Sequence, residues 1–308
     1  MSNKTLIFGH KNPDTDSIAS SFVMENLEKN LGNDEAKAVA LGNLNKETKY
    51  VFNYLGMEEP EIISDVENDQ NVILVDHNEA SQSVTNLEHS KILKVVDHHT
   101  MNFVAPYQLY YRTEPVGCTS TVLYKIYKEY GIKIDKKTAL LMLSAIASDT
   151  LLFKSPTCTP DDIRVAEELM NISGVDIKSY GTDMLKAGTD LSDYTPEQVI
   201  NIDCKLFEKG GKKFKIAQVN TADIDNVFKN QAYFEAAINQ DIEKEKLDLY
   251  VFAATDIVNS NSKIITLGHD APVVEKAFGV SVTNNTAMLE NVVSRKKQIL
   301  PNILNNLD

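Results

Sequence analysis

Three apolar runs of the sequence each end in residues that can bind metal ions or move protons. The runs are TLIFG (5–9), NVILV (71–75) and ILKVV (92–96), and each has the length of a buried strand. The Asp and His residues that follow them are His10, Asp14, Asp16, Asp76, His77, Asp97, His98 and His99. Ligands of open α/β sheets bind at the carboxyl ends of the strands, so we predict that these side chains share one site.

One more carboxylate, Asp149, follows the apolar stretch ALLMLSAIAS and is predicted to join this site. Carboxylates at such close range repel one another unless cations or protons lie between them. Asp and His without thiolates suit Mn²⁺, Mg²⁺ or Co²⁺, and imidazole ligands favour manganese over magnesium. So many acids for few coordination positions also predict two ions that share a bridging carboxylate.

Each of these residues has a simpler interpretation when it is taken alone. An Asp after a strand often caps a helix or a turn, and a lone His is more often structural than a ligand. His89 and His269 are assigned to that simpler class, while His77 fits a structural role and a role in supporting a ligand equally well. The repetition of HxxxDxD, DHNE and DHH at predicted strand ends favours the two-metal site.

A run of cations near the C-terminus is the second chemical signal. Ser294 is followed by Arg295, Lys296 and Lys297. Such a run is often only a solvated basic patch. In a chain of net charge -13 it also suits phosphate binding, because Arg can bind phosphate oxygens bidentately and Lys supplies a compact charge. Lys205 is expected to join this cationic group.

Composition narrows the class of protein. Hydrophobic residues make up 43% and charged residues 24%, as in an ordinary globular protein. The acidic excess disfavours a nucleic-acid partner. No apolar stretch approaches the roughly 20 residues of a membrane span, and the first apolar run is too short for a secretory signal. We therefore expect a cytoplasmic protein with no membrane partner, and its 3 scattered cysteines predict neither a disulfide nor a zinc site.

Alternating strand and helix patterns predict an α/β fold, with a doubly wound, mainly parallel sheet in the first domain. A stretch rich in Gly, Asp, Ser, Thr and Pro after Lys186 predicts a linker. The predicted segments are a metal-binding domain at 1–187, a linker at 188–196 and a smaller α/β substrate-binding domain at 197–308, with the active site in the cleft between the domains. In the second domain we predict a strand at 212–220 and helices at 224–244, 271–278 and 298–307.

The motifs together resemble those of the family II inorganic pyrophosphatases, members of the Asp-His-His phosphoesterase superfamily. The matching runs are GHKNPDTDSIAS, VDHNE, VVDHHT, SAIASDTLLFKSPT and VVSRKKQ, in order and from end to end of the chain. The resemblance implies hydrolysis of pyrophosphate to two phosphates. The alternative is a phosphodiesterase of the same superfamily, acting on short oligonucleotides or cyclic dinucleotides, but its glycine-rich nucleotide motif is not found in this sequence. A non-catalytic metal-binding protein would be expected to lack one of the Asp or His residues, and none is missing.

The resemblance also implies roles for individual residues. One Mn²⁺ would be held by His10, Asp14, Asp76 and Asp149, and the other by Asp16, Asp76, His98 and Asp149, with Asp97 supporting them. The residues that would bind the pyrophosphate oxygens are His99, Lys205, Arg295 and Lys296. A hydroxide shared by the two ions would attack one phosphorus in line. The family further implies a homodimer formed through the N-terminal domain, Co²⁺ as a substitute for Mn²⁺, and Mg²⁺ accompanying the substrate.

Overall fold

The computed structural model of the chain describes residues 4–307. The chain divides into two compact units, Met1–Gly188 and Thr189–Asp308. Each unit has its own five-stranded sheet, and the predicted α/β class is confirmed. The predicted linker stays a prediction; within 188–196 lie the last residue of a helix, Gly188, and the cap of the next, Thr195. Among the described residues, no helix is both long enough and apolar enough to cross a bilayer.

The first unit is built on a parallel sheet with the strand order β2-β1-β3-β4-β5. Its strands are β1 (Thr5–Phe8), β2 (Ala36–Ala38), β3 (Asn71–Val75), β4 (Lys91–Asp97) and β5 (Tyr110–Thr113). Its helices are α1 (Thr15–Asn30), α2 (Lys46–Leu55), α3 (Thr119–Glu129), α4 (Lys136–Asp149), α5 (Pro160–Ser173) and α6 (Ile177–Gly188). The strands β1, β3 and β4, whose ends carry the predicted site, are neighbours in the sheet.

Both faces of this sheet are covered. Helix α1 packs against β1, β2 and β3, and also against α3 and α4. On the other side, alternate residues of β1 and β3, such as Phe8 and Leu74, join a cluster with Val66, Val84 and Leu87 from the connecting segments. The near-continuous apolar sequence of these strands follows from that two-sided burial.

The second unit has a mixed sheet with the order β10-β9-β8-β7-β6, in which only β7 and β8 run parallel. Its strands are β6 (Cys204–Lys209), β7 (Lys212–Thr221), β8 (Leu249–Asp256), β9 (Asn261–Leu267) and β10 (Thr286–Leu289). Its helices are α7 (Pro196–Val199), α8 (Ile224–Phe228), α9 (Gln231–Glu245), α10 (Val273–Phe278) and α11 (Leu300–Asn306), and a π-helical turn at Arg295–Ile299 precedes α11.

The long helix predicted at 224–244 is wrong. The chain forms two helices there, and Asn230 separates them with a backbone outside the helical region (φ -99°, ψ 14°). Asn competes for backbone hydrogen bonds and favours helix ends over helix interiors. The last helix, predicted at 298–307, begins earlier than expected, because Ser294 caps a π-helical turn at Arg295–Ile299 that leads directly into α11.

Candidate metal centre

Adjacent strands of the first sheet deliver the predicted residues to one edge. Strand β1 leads through Gly9 to His10, β3 leads to Asp76, and β4 ends at Asp97. Asp76 itself has a left-handed backbone (φ 57°), which turns the chain away directly after the strand. Parallel strands end at a common edge, so the pairing of β1, β3 and β4 explains why these side chains converge.

The turn between β1 and α1 depends on a close approach. A Cβ on Gly9 would lie 1.9 Å from Ser17 Oγ and 2.8 Å from Ser17 Cα, so no larger residue fits. Asp14 then caps α1, because its Oδ1 accepts a hydrogen bond of 2.9 Å from the Ser17 backbone N–H. Asp16 follows in the first turn and is fully buried. The same turn therefore aligns His10, Asp14 and Asp16.

The carboxylate of Asp76 lies between two histidines. Its Oδ2 is 3.5 Å from His10 Nε2, and its Oδ1 is 3.4 Å from His98 Nε2. His10 Nε2 is also 3.4 Å from Asp14 Oδ2, and His98 Nε2 is 3.9 Å from Asp149 Oδ2. Two donor atoms that bind one ion at about 2.1 Å and at right angles lie about 3 Å apart. The distances from His10 and from His98 to their neighbouring carboxylates are all slightly longer than this spacing.

Three sets of side chains among the described residues could each hold an ion, and one of them, Asp76, His98 and His99, shares its members Asp76 and His98 with the other two. His10, Asp14 and Asp76 make up the second set, and Asp16, His98 and Asp149 make up the third, with the donor atoms of each set within 4.8 Å of one another. One carboxylate oxygen of Asp76 faces each histidine. This is the arrangement of a bridging carboxylate in a two-metal site.

Both histidines also present the correct nitrogen. Nδ1 of His10 lies 2.8 Å from the carbonyl oxygen of Lys11, and Nδ1 of His98 lies 3.0 Å from that of Val116. A carbonyl can only accept, so Nδ1 carries a proton, and Nε2, which faces the carboxylates, is the nitrogen that can bind a metal ion after it loses its own proton. Metal-binding histidines are held in this tautomer by the same kind of contact. The residues present therefore fit divalent cations.

The charges of the site are strongly perturbed. Burial alone would lower the pKa of His10 and His98, but the neighbouring carboxylates raise the pKa of His10 to about 11 and that of His98 to about 9. Burial raises the pKa of Asp16 to about 6, with Asp76 adding to the effect, and burial together with Asp16 raises the pKa of Asp149. The pKa of Asp76 is lowered despite burial, because both histidines lie beside it. Positive charge is therefore favoured among these carboxylates, and divalent cations supply it without protons.

Two domain families match the chain, in the order in which the units occur. The N-terminal domain model of the DHH family matches residues 4–146, and the DHHA2 domain model matches residues 182–306. The manganese-dependent inorganic pyrophosphatase of Bacillus subtilis is 51% identical over 300 residues, which is 97% of each chain. The chain belongs to the family II inorganic pyrophosphatases.

Solved structures agree with this membership. A crystal structure from Methanococcus jannaschii, provisionally assigned as a family II inorganic pyrophosphatase, matches with a TM-score of 0.64 and 37% identity and covers 98% of this chain and 99% of its own. An exopolyphosphatase-related protein from Bacteroides fragilis shares the fold, with a TM-score of 0.51 and 13% identity over 98% of this chain and 92% of its own.

The cations predicted to bind phosphate lie in the second unit of this pyrophosphatase-family chain. Arg295 begins the π-helical turn, and its Nη1 contacts Asp203, at 2.9 Å from Oδ1 and 2.5 Å from the backbone oxygen. A guanidinium has five N–H donors, so this contact leaves others for phosphate oxygens. Lys205 lies on β6 and is exposed, and its predicted place beside Arg295 stays a prediction. Lys296 is exposed beside Arg295.

Several polar residues around the metal centre were missed in the sequence. Asp16 accepts hydrogen bonds from Ser20 Oγ at 2.6 Å and from the Thr119 backbone N–H at 2.7 Å, and the Thr119 hydroxyl donates to Asp76 Oδ1 at 2.9 Å. Thr119 is the first residue of α3, so the positive end of that helix faces these acids. Buried Ser and Thr inside a helical pattern are the only signal that the sequence offers, and it is a weak one.

The remaining histidines fall into two kinds of environment. His89 and His269 are exposed, with 58% and 92% of their side chains accessible, and each lies beside an acidic neighbour. His77 is buried; its Nδ1 lies 2.9 Å from the Val75 carbonyl, and its Nε2 has no hydrogen-bond partner among residues 4–307. Burial lowers the pKa of His77, which favours the neutral form.

Proposed function

We propose that this chain acts as a manganese-dependent inorganic pyrophosphatase and that two divalent cations bind at the centre described above. The position of Asp76, with one oxygen towards His10 and the other towards His98, carries the proposal. The 51% identity with the manganese-dependent enzyme of Bacillus subtilis supports it. Two Mn²⁺ per subunit, Co²⁺ as a substitute and Mg²⁺ with the substrate are the finer expectations. The cytoplasmic location expected from the sequence stays a prediction.

Each ion would have its own ligands. His10, Asp14, Asp76 and Asp149 are proposed to hold one, and Asp16, Asp76, His98 and Asp149 to hold the other. When bound, such a pair lowers the pKa of water towards neutrality and so supplies a nucleophile for in-line attack on phosphorus. The hydrogen bonds from Ser20 and Thr119 fix the orientation of Asp16.

The substrate would be held by cations and by one imidazole. Asp97 accepts a hydrogen bond of 2.9 Å from His99 Nδ1, which leaves His99 Nε2 for a phosphate oxygen. Lys205, Arg295 and Lys296 would neutralise the charge that develops on the phosphoryl oxygens and on the departing phosphate. No residue forms a covalent bond with phosphorus in this scheme.

The deciding experiment is a phosphate-release assay on the full chain. Pyrophosphate, tripolyphosphate, a cyclic dinucleotide and a linear dinucleotide are each supplied with Mn²⁺ and with Mg²⁺. We expect rapid release from pyrophosphate with Mn²⁺. Preferred cleavage of either nucleotide would instead favour the phosphodiesterase alternative and would contradict the proposal.

We also propose that the chain forms a homodimer through its first unit. Strand β5 lies at one edge of the parallel sheet and pairs only with β4 within the described residues. The segment beside it exposes apolar side chains: Met101 at 63%, Val104 at 95%, Tyr107 at 42% and Tyr110 at 37%. Unpaired edges and exposed apolar groups favour association. Sedimentation equilibrium should give twice 34.3 kDa, and a monomer at micromolar concentration would exclude this dimer.

A further inference from the structure

Asn78 is buried two residues after Asp76 and joins the loops that follow β3 and β4. Only 2% of the residue is exposed. Its Nδ2 donates to Asp97 Oδ2 at 2.6 Å and to the Thr100 carbonyl at 3.2 Å, and its Oδ1 accepts from the Asn102 backbone N–H at 2.6 Å. The amide nitrogen and the amide oxygen of Asn78 therefore both take part in hydrogen bonds with these loops.

Asp97 passes this constraint on to His99. Asp97 is fully buried, and its Oδ1 accepts hydrogen bonds from the backbone N–H groups of His98 and His99 and from His99 Nδ1, at 2.8, 3.1 and 2.9 Å. Its Oδ2 is held by Asn78. A carboxylate that is fixed at both oxygens cannot rotate, so the His99 ring that it binds is fixed as well.

His99 and Asn78 also line the same cavity. This cavity measures about 300 Å³, and His10, Asp76 and Thr100 are among its walls. The His99 side chain is 52% exposed, so packing alone does not hold the ring. Its ring meets the His98 ring edge to face, with the centroids 4.3 Å apart, and the hydrogen bond from Nδ1 to Asp97 then sets which way Nε2 points.

We propose that Asn78 is a positioning residue for pyrophosphate hydrolysis: it fixes Asp97 and, through Asp97, aims His99 Nε2 at the substrate. This inference rests on the proposed role of His99 in binding pyrophosphate. Asn is suited to the position because its amide donates to a carboxylate and accepts from a backbone N–H at the same time. An Asp there would place a second carboxylate against Asp97, and an Ala would leave Asp97 Oδ2 buried without this donor.

The kinetic test is a double-mutant cycle on the full chain with Mn²⁺. We expect Asn78→Ala to lower kcat about ten- to a hundredfold, the usual loss for a residue that orients a functional group, with Mn²⁺ content unchanged. In a His99→Ala background the same change should cost less than about threefold, because the group it positions is gone. Equal losses in both backgrounds would overturn the proposal. Asn78→Ser replaces Asn78→Ala throughout if the alanine variant is insoluble.

Asn86→Ala is the matched control. Asn86 also links two loops of the first unit through its amide, donating to the Val66 carbonyl at 2.6 Å and accepting from the Val66 N–H at 3.0 Å. It contacts none of the proposed site residues in these bonds. We expect Asn86→Ala to keep kcat within about twofold of the wild-type value. A loss as large as that of Asn78→Ala would mean that loop integrity alone explains both effects and would overturn the proposal.

A second measurement separates this inference from the proposed function. With ¹⁵N-labelled histidine and diamagnetic Mg²⁺, the Nδ1–H proton of His99 should give a downfield signal that is assigned by its loss in His99→Ala. We expect Asn78→Ala to broaden or remove that signal, whereas Asn86→Ala keeps it. An unchanged signal in Asn78→Ala overturns the positioning role. Absence of pyrophosphate hydrolysis in the wild type would instead refute the proposed function and leave this comparison intact.

Discussion

At the scale of single residues, the metal centre is a group of neighbouring carboxylates whose negative charges need positive charge beside them. Asp76 is flanked by His10 and His98, and His98 also lies close to the buried Asp16 and to Asp149, whose side chain is 16% exposed. Burial makes the negative charge of Asp149 costly, and Asp16 adds to the cost, so the pKa of Asp149 is raised. A cation that removes this cost gains binding free energy from each carboxylate, which makes affinity sensitive to every one of them.

We therefore expect Asp149→Asn to weaken manganese binding. The change keeps the shape of the side chain but removes its charge, and loss of a group at such a site lowers affinity tenfold or more. Elemental analysis after gel filtration in low Mn²⁺ measures the content, and the activity should fall in parallel. Asp135→Asn at the other end of α4 is the control, since Asn also caps helices well. Full Mn²⁺ content in Asp149→Asn would show that Asp149 is not a ligand.

Arg295 is predicted to act on the reaction rather than on the ions. Removing one charge-assisted donor to a transition state costs about 3 kcal/mol, or about a hundredfold in rate. We expect Arg295→Ala to lower kcat by about that factor with Mn²⁺ content unchanged, and Arg295→Lys to recover only part of it because Lys lacks the bidentate fork. Lys297→Ala removes a neighbouring exposed charge and should keep the wild-type rate. Equal effects of Arg295→Ala and Lys297→Ala would show that this run of cations is only a basic surface patch without a role in the reaction.

At the scale of secondary structure elements, the site depends on how closely α1 approaches β1. We expect Gly9→Ala to be destabilising by about 1–3 kcal/mol, because the new Cβ would overlap Ser17 and push α1 outwards. Asp14 and Asp16 move with α1, so Mn²⁺ affinity should fall as well. Urea unfolding and metal analysis test both effects. Gly131→Ala is the control: it meets no atom within 4 Å and incurs only the cost of a left-handed backbone, so it should bind Mn²⁺ normally.

Those elements also show what the sequence can and cannot reveal. The ends of β1, β3 and β4 were predictable. An apolar run indicates a buried strand, and the Asp or His residues that follow it indicate where that strand ends. Strand β5 was missed, since it pairs with β4 alone among the described residues and its end residues, Tyr110 and Thr113, are exposed, so its sequence lacks an apolar signature. The positive end of α3 beside Asp16 was missed for another reason: Thr119 reaches Asp16 across 103 residues of sequence, and no local pattern encodes such a contact.

The same distinction applies to the site residues. His10, Asp76 and His98 stand directly after strands and were therefore visible as a set. Asn78 and Thr119 act through hydrogen bonds to those residues, and Asn or Thr in a sequence most often indicates only a turn or a cap. Their contribution emerges only when the distances to Asp97 and Asp76 are known.

At the scale of the whole molecule, the first unit should depend on metal for its stability as well as for its activity. Asp16 and Asp76 are buried and Asp149 is nearly so, and the three carboxylates repel one another; burial and this repulsion together raise the pKa of Asp16 and of Asp149. A ligand that binds the folded state alone stabilises it by about 2.7 kcal/mol at a hundred times its Kd. For a unit of this size, one kcal/mol shifts Tm by about 2–4 °C.

We accordingly expect chelation to abolish pyrophosphate hydrolysis and to lower the Tm of the full chain by about 5–10 °C for each ion removed, when Mn²⁺ is present at a hundred times its Kd. Mn²⁺ or Co²⁺ should restore both properties, and Mg²⁺ should restore them less well because His10 and His98 are softer ligands than Mg²⁺ prefers. Differential scanning calorimetry and a phosphate-release assay on the same samples make the comparison. The Asp149→Asn variant supplies the control, since its Tm should respond less to Mn²⁺. Mn²⁺ restoring activity without raising Tm would show that the buried acids are already neutralised by other means; recovery with Mg²⁺ alone would contradict the choice of metal.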